Sequence, residues 1–299
     1  MGAIDTFSAG FAVVNRRPLL LLFPLALDGL IWGSPAVSVG PVVRAALTAS
    51  PGVGNGNELG AILSQYDLMA LLGRFTPSLL ASLGASVPAL SAKSTLEVQQ
   101  GSDVFWAVVG LLVAGFVFGT WYLFAVAQAV RGAEYRQWAA GGELLGVFAR
   151  LASLVGIAVA AMAGMVVLLI AAGVVNTGLM GLVASIAIIG ALWVAFYLFF
   201  AVDAVVIGGL KARQAIRASL LVFRVNFGAA AAIVLLATLI RLGLPIIWRN
   251  LAVNSIGLLG VIVVNAYIGT GLAAATMLFF REQWDKVQRV AVSPGVARR

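Results

Sequence analysis

The chain has 299 residues, 62% of them hydrophobic and only 10% charged, with a mean hydropathy of +1.06 and a formal net charge of +8. Average soluble domains carry about 25% charged residues, so these figures exclude the soluble globular class and place the chain among integral membrane proteins. Histidine and cysteine are both absent, which excludes disulfides, ordinary metal clusters, histidine-ligated haem and Ser-His or Cys-His dyads.

In chain order, apolar runs predict six membrane-spanning helices over 18–36, 104–130, 151–175, 177–205, 227–248 and 256–280, because about 20 apolar residues cross a ~30 Å hydrocarbon core. The first run is short and carries Pro18 and Pro24, which predicts a kink or incomplete insertion. Arg16 and Arg17 before it resemble the start of a signal peptide. Pro24 and Asp28 interrupt the apolar core, however, and no small-x-small site follows, so an uncleaved first helix is expected. Asn176 is almost the only break between the third and fourth runs, predicting a tight helical hairpin. The expected fold is all-α: a polytopic membrane bundle of six transmembrane helices forming a single domain over 1–299. Cytoplasmic amphipathic helices, a long outer loop over 37–103 and a cytoplasmic tail over 281–299 complete it.

The orientation comes from the cations. Arg16, Arg17, Arg131, Arg136, Arg150, Lys211, Arg213, Arg217, Arg224, Arg281, Lys286, Arg289, Arg298 and Arg299, fourteen in all, share the side of the N-terminus. Arg44, Arg74, Lys93 and Arg249 fall on the other side, and Arg241 falls inside the fifth run. This asymmetry predicts a multi-pass protein with both termini cytoplasmic. Because the cations are spread between apolar segments, they read as topology signals and contacts to membrane lipids, not as a nucleic-acid surface. Arg16, Arg17, Arg213, Arg217 and Arg224 are the basic residues expected at the membrane surface. In the outer loop, 59–72 and 77–90 read as short amphipathic or interfacial helices. A loop of this length either docks something or serves as a lid.

A weak internal repeat organises the rest. Phe7-Ser8-Ala9-Gly10-Phe11-Ala12-Val13-Val14-Asn15-Arg16-Arg17-Pro18 leads into one apolar run, and Ile216-Arg217-Ala218-Ser219-Leu220-Leu221-Val222-Phe223-Arg224-Val225-Asn226-Phe227 leads into another. A fainter instance runs from Glu143 through Phe148 and Arg150. Each is an amphipathic segment feeding a span, with Arg213 and Arg217 at i, i+4 and Ile216, Leu220 and Phe223 on the apolar side. The segments over 4–15 and 212–226 are therefore expected to lie along the membrane surface as amphipathic helices, their apolar sides in the acyl boundary. The stretch with Asp203, Gly208-Gly209, Ala215-Ile216, Ser219 and Phe223-Arg224-Val225-Asn226-Phe227, together with Asn15-Arg16-Arg17-Pro18, resembles poorly characterised bacterial six-helix membrane families. Among them is the membrane domain fused to some glycerophosphodiester phosphodiesterases. The resemblance implies a fold, a topology and a bacterial cytoplasmic membrane. The soluble phosphodiesterase domain of those fusions is not in these residues, so no catalytic residue carries over.

Ionisable groups inside spans are functional candidates because burying a charge in lipid costs about 2.5 to 3.5 kcal/mol on insertion scales. Asp28 and Arg241 fall at overlapping depths and are expected to pair, either as a structural ion pair or at a gate or substrate contact, unless Arg241 snorkels to the headgroups. Asp203 and Gln128 occupy the cytoplasmic ends of the fourth and second runs, where Asp203 reads as a solvated or locally paired charge. Asn265 with Tyr267, and Asn176 with Asn254, can hydrogen-bond between helices or line a pocket. Gly115 and Gly119 form a GxxxG suited to close helix approach. Trp193, Phe196, Tyr197, Phe199 and Phe200, with Trp32, Trp106, Trp248 and Trp284, read as interfacial anchors or as a surface for lipid or pigment stacking. No Walker loop or dinucleotide fingerprint is present, and Lys93, Lys211 and Lys286 all lie outside the runs. A non-enzymatic accessory or scaffold subunit, holding other membrane protein subunits and needing neither cofactor nor metal, is the leading expectation. The alternative is a transporter or lipid-handling protein with a polar cavity near Asp28, Arg241 and Asn265.

Overall fold

The computed structural model describes residues 2–48, 66–83, 93–132 and 140–292. Those residues form an all-α polytopic bundle with eleven α-helices: α1 (Ala3–Arg16), α2 (Leu22–Gly33), α3 (Gly40–Thr48), α4 (Leu79–Leu83), α5 (Gly101–Arg131), α6 (Ala140–Val175), α7 (Thr177–Tyr197), α8 (Ala201–Val206), α9 (Ala212–Val225), α10 (Phe227–Leu251) and α11 (Ser255–Val292). Two 3-10 helices, Pro18–Leu21 and Leu68–Phe75, and two three-residue strands, β1 (Ala36–Ser38) and β2 (Thr95–Glu97), connect them. The strands pair in parallel, Val37 opposite Leu96.

Five helices, α5, α6, α7, α10 and α11, are long and apolar enough to cross a membrane. The count rises to six if α1 and Pro18–Gly33, which meet at a bend of 94°, together make one broken span. The expected first span is therefore not one straight helix. Pro18 opens the 3-10 turn and Pro24 falls in the first turn of α2, where a missing N–H costs no hydrogen bond. The fourth span also ends early. α7 stops at Tyr197, whose carbonyl accepts a hydrogen bond from the Ser219 hydroxyl at 2.6 Å, and α8 begins only at Ala201. Conversely, the segment from Glu143 to Arg150 is continuous with its span in α6 and forms no separate surface helix.

The other two copies of the repeat match in backbone detail. α1 and α9 each have 14 residues. A single residue then breaks each helix before the next begins, Arg17 at φ −136°, ψ 68° and Asn226 at φ −146°, ψ 65°. The two sequences thus make the same turn at the same place.

Contacts group the chain into two compact units, one of Met1–Gly10, Ala127–Ala237 and Ala274–Arg299, the other of Phe11–Val126 and Thr238–Ala273. In the first unit, α9 does not lay its apolar side in lipid as expected. It buries Ala215, Ala218, Ser219, Val222 and Phe223, and the Phe223 ring sits 4.9 Å from Phe196, 5.2 Å from Tyr197 and 5.6 Å from Phe200. These aromatics are core for α9, not a stacking surface. α6 and α7 form the hairpin expected at Asn176, whose side chain caps α7 by accepting the Gly178 N–H at 2.6 Å. Their most apolar stretches bury nothing. Phe223→Ala is expected to lower the thermal stability of the detergent-solubilised protein by about 3 kcal/mol, and Leu221→Ala, on the exposed side, by under about 0.5 kcal/mol, as read from unfolding curves of the two variants.

Candidate functional site

In the second unit, a segment expected at the membrane surface runs instead through the protein interior. The Leu68–Phe75 3-10 helix and α4 bury Leu68, Leu72, Leu79, Leu80 and Leu83, and the last four share one apolar cluster with Leu27 and Ile31 of α2 and Leu258, Val261 and Ile262 of α11. The remaining parts of the two expected interfacial helices, 59–65 and 84–90, lie outside the described residues, as do Arg136, Arg298 and Arg299.

Asp28 is the first anchor of this segment. Its carboxylate is fully buried and accepts three hydrogen bonds, from the Ser78 hydroxyl, from the Leu79 N–H at 3.0 Å and from the Leu80 N–H at 3.1 Å. Ser78 in turn accepts the Ala81 N–H at 3.1 Å. Asp28 and Ser78 thus satisfy the opening N–H groups of α4, which otherwise lack partners. No ion pair joins Asp28 to Arg241 among the described residues. The carboxylate needs no cation, because three donors aimed at it replace the water it loses.

Asn265 holds the same turn from α11, donating its side-chain N–H to the Pro77 carbonyl at 3.0 Å. One turn along α11, Gly269 receives the Pro77 ring where any Cβ would collide with it. The GxxxG of α5 serves the same segment. A Cβ on Gly115 would lie 2.8 Å from the Leu72 carbonyl oxygen, and one on Gly119 would strike the Phe75 side chain. These glycines accept a folded-in loop, not another long helix, and Phe75 packs edge-on against Phe116 at 5.6 Å.

A part-buried ion pair closes the segment at its start. Asp67 accepts the N–H groups of Met69 at 2.9 Å and Val37 at 3.0 Å and bridges to Lys93 at 3.0 Å, while Lys93 also donates to the Ile31 carbonyl near the end of α2 at 2.7 Å. In the sequence, Lys93 read only as a cation outside the apolar runs. Capping signals were available, since Asp67 precedes a leucine-rich run and Ser78 follows Pro77. Further along, Tyr267 donates to Asn15 at 3.0 Å and stacks on Phe11 at 5.3 Å, whose ring lies over Gly271.

The first unit uses its polar candidates in the same way. Gln128 donates to Glu143 at 3.3 Å, and Arg131 bridges to Glu143 at 2.6 Å while donating to the Val206 and Ile207 carbonyls at 3.1 and 2.9 Å. α8 ends there with Gly209 in the left-handed region at φ 64°. Asp203 is buried at 6% exposure, so of the two expected readings, a solvated or a locally paired charge, the solvated one does not hold. Arg16, Arg213, Arg217 and Arg224 are exposed. At about 100° per residue, Arg213, Arg217 and Arg224 fall within about 40° of one another around α9. Asn254 accepts the Gly257 N–H at 2.7 Å at the start of α11. Among the described residues no three carboxylates gather closely enough to hold a metal ion.

Arg241, like Arg16, Arg213, Arg217 and Arg224, is exposed and makes no side-chain hydrogen bond or ion pair within the described residues. Its charge acts on the buried Tyr122 hydroxyl, which donates to Thr270 at 3.2 Å. No family model, no curated protein and no solved structure matches the chain.

Four variants test this assignment. Asp28→Ala strands three buried donors and is expected to cost on the order of 3 kcal/mol of stability in detergent, with Asp28→Asn costing less because one acceptor oxygen remains. Gly119→Val is expected to destabilise by about 1 to 3 kcal/mol by displacing Phe75. Gly156→Val, where a Cβ meets nothing within 4 Å, should leave the melting temperature within a degree or two by the same scale.

Proposed function

We propose that this protein is a non-enzymatic accessory or scaffold subunit of a membrane protein complex. One observation carries the reading: Asp28 and Asn265, two of the three polar residues a transport cavity would need, are both engaged in holding the Pro77–Leu80 turn. Polar groups bonded to their own backbone do not line a solute path. The exposed α6–α7 hairpin supports the same reading, since large apolar side chains such as Val159, Met162, Ile188 and Leu192 are 58 to 69% exposed and present contact area to lipid or to a neighbouring subunit. The cation distribution favours both termini cytoplasmic, and the likeness to the membrane domain of phosphodiesterase fusions fits a module of a bacterial cytoplasmic membrane that serves a neighbouring activity.

Purification from the native membrane in mild detergent is expected to yield partner chains at fixed stoichiometry. A chain that purifies alone and moves a solute or lipid across reconstituted vesicles would establish the transport alternative instead. For orientation, the natural lack of cysteine gives a clean background. Cysteine at Leu96 should react with an impermeant thiol reagent from the outer side and cysteine at Arg213 only after the membrane is opened, and the reverse pattern refutes the topology.

A further inference from the structure

We infer that α9 carries a recognition face for anionic phospholipid, on which Arg213, Arg217 and Arg224 hold headgroups while Leu220 and Leu221 meet the acyl chains beneath them. The inference does not rest on the accessory-subunit reading. α9 is two-sided. Ala215, Ala218, Ser219, Val222 and Phe223 are buried in the protein, and the opposite side is open, with all three arginines exposed and Leu220 and Leu221 exposed by 39% and 37%. At about 100° per residue, these five open residues share an arc of about 100° around the helix, and Leu220 lies within about 60° of every arginine. Apolar and cationic groups are therefore interleaved on one face.

The fold sets that face at headgroup level. Asn226 breaks the chain after α9 in nearly the backbone conformation of Arg17, where the helices on either side meet at 94°. A bend of that order lays α9 across the axis of α10. Phe227, the next residue, is 53% exposed and opens the apolar run of a helix long enough to cross the membrane, so α9 lies where that helix leaves the hydrocarbon.

Charge and polarity together select the occupant. α9 contains no Asp or Glu, and none of its three arginines meets a carboxylate among the described residues. Three uncompensated charges thus stand along about 16 Å of helix. Water or a free phosphate satisfies the guanidiniums but leaves Leu220 and Leu221 wet. A phospholipid surface matches both, with phosphates at the level of the arginines and methylenes just below. Arginine binds any phosphate bidentately, yet a zwitterionic headgroup brings its own cation to the same level, so the excess positive charge favours lipids of net negative charge. Because the buried side already holds α9 in place, binding requires no helix to form.

The test uses the full chain with Val225→Cys as its single cysteine, labelled with a donor dye and reconstituted in phosphatidylcholine vesicles. A trace of lipid with an acceptor dye on its acyl chain is added, phosphatidylglycerol in one set and phosphatidylcholine in the other, and energy transfer reads which lipid gathers at α9. Phosphatidylglycerol is expected to be enriched by at least about fivefold, the gain one arginine gives at an anionic surface, and the excess should vanish near about 1 M salt. Replacing Arg213, Arg217 and Arg224 together with Gln should abolish the enrichment, replacing each singly should lower it part-way, and replacing all three with Lys should keep most of it. The glutamine variant should melt with its parent in detergent, since the three side chains are exposed. A donor at Leu96→Cys, in β2, should detect no enrichment. Equal transfer to the two acceptors, or an enrichment that the glutamine variant retains, overturns the inference. Inorganic phosphate that removes the enrichment as well as unlabelled phosphatidylglycerol does also overturns it, since a free anion is then the ligand. The same holds if a soluble poly-glutamate peptide binds through these arginines while the two acceptors transfer equally, because the face then takes an acidic protein segment.

Discussion

The Asp28 carboxylate is the interaction on which the second unit depends. A chain segment that turns back inside a membrane protein brings backbone N–H and C=O groups into a region without water, and each must find a partner within the protein. Asp28 takes the Ser78 hydroxyl and two consecutive N–H groups of α4, Asn265 takes the Pro77 carbonyl, and Asp67 with Lys93 satisfies the start of the segment and the end of α2. With those groups bonded, the leucines of the 3-10 helix and α4 can be buried between spans.

Close approach is the second constraint, and glycine meets it. Gly115, Gly119 and Gly269 stand where a side chain would push the Leu71–Pro77 backbone away, so α5 and α11 can pack directly on loop atoms. The first unit answers the same demand with a cation. Arg131 binds the carbonyls at the end of α8 where a helix C-terminus concentrates partial negative charge, and Glu143 balances it.

Satisfied polar groups also shape the functional reading. An intramembrane carboxylate with three backbone and hydroxyl donors is a structural staple, and its presence argues for rigidity in the part of the chain most suited to act as a gate. What is left over is apolar area on the α6–α7 hairpin, with exposed side chains such as Met162 and Leu192. Such area in a membrane bundle meets lipid or a neighbouring subunit.

Composition and hydropathy determined by themselves that the chain is a helical membrane protein, and prolines and Asn176 marked where helices break, because those features act through local sterics and transfer energy. The 14-residue helices α1 and α9 were legible as a repeat for the same reason: short amphipathic patterns and a break of one residue are local properties. Asp28, Asn265, Gly115 and Gly119 were recognisable as special residues in special surroundings. Their common partner, the Leu68–Leu80 segment, was not, because a polar group in a span states only that it needs a partner and not which one. Hydropathy placed that segment at the surface, since its leucines suit an interface and an interior equally. Only the tertiary structure decided that Asp28 meets Ser78 fifty residues away instead of Arg241, because hydrogen-bond partners across sequence are chosen by packing, and packing is not written in any one stretch of the chain.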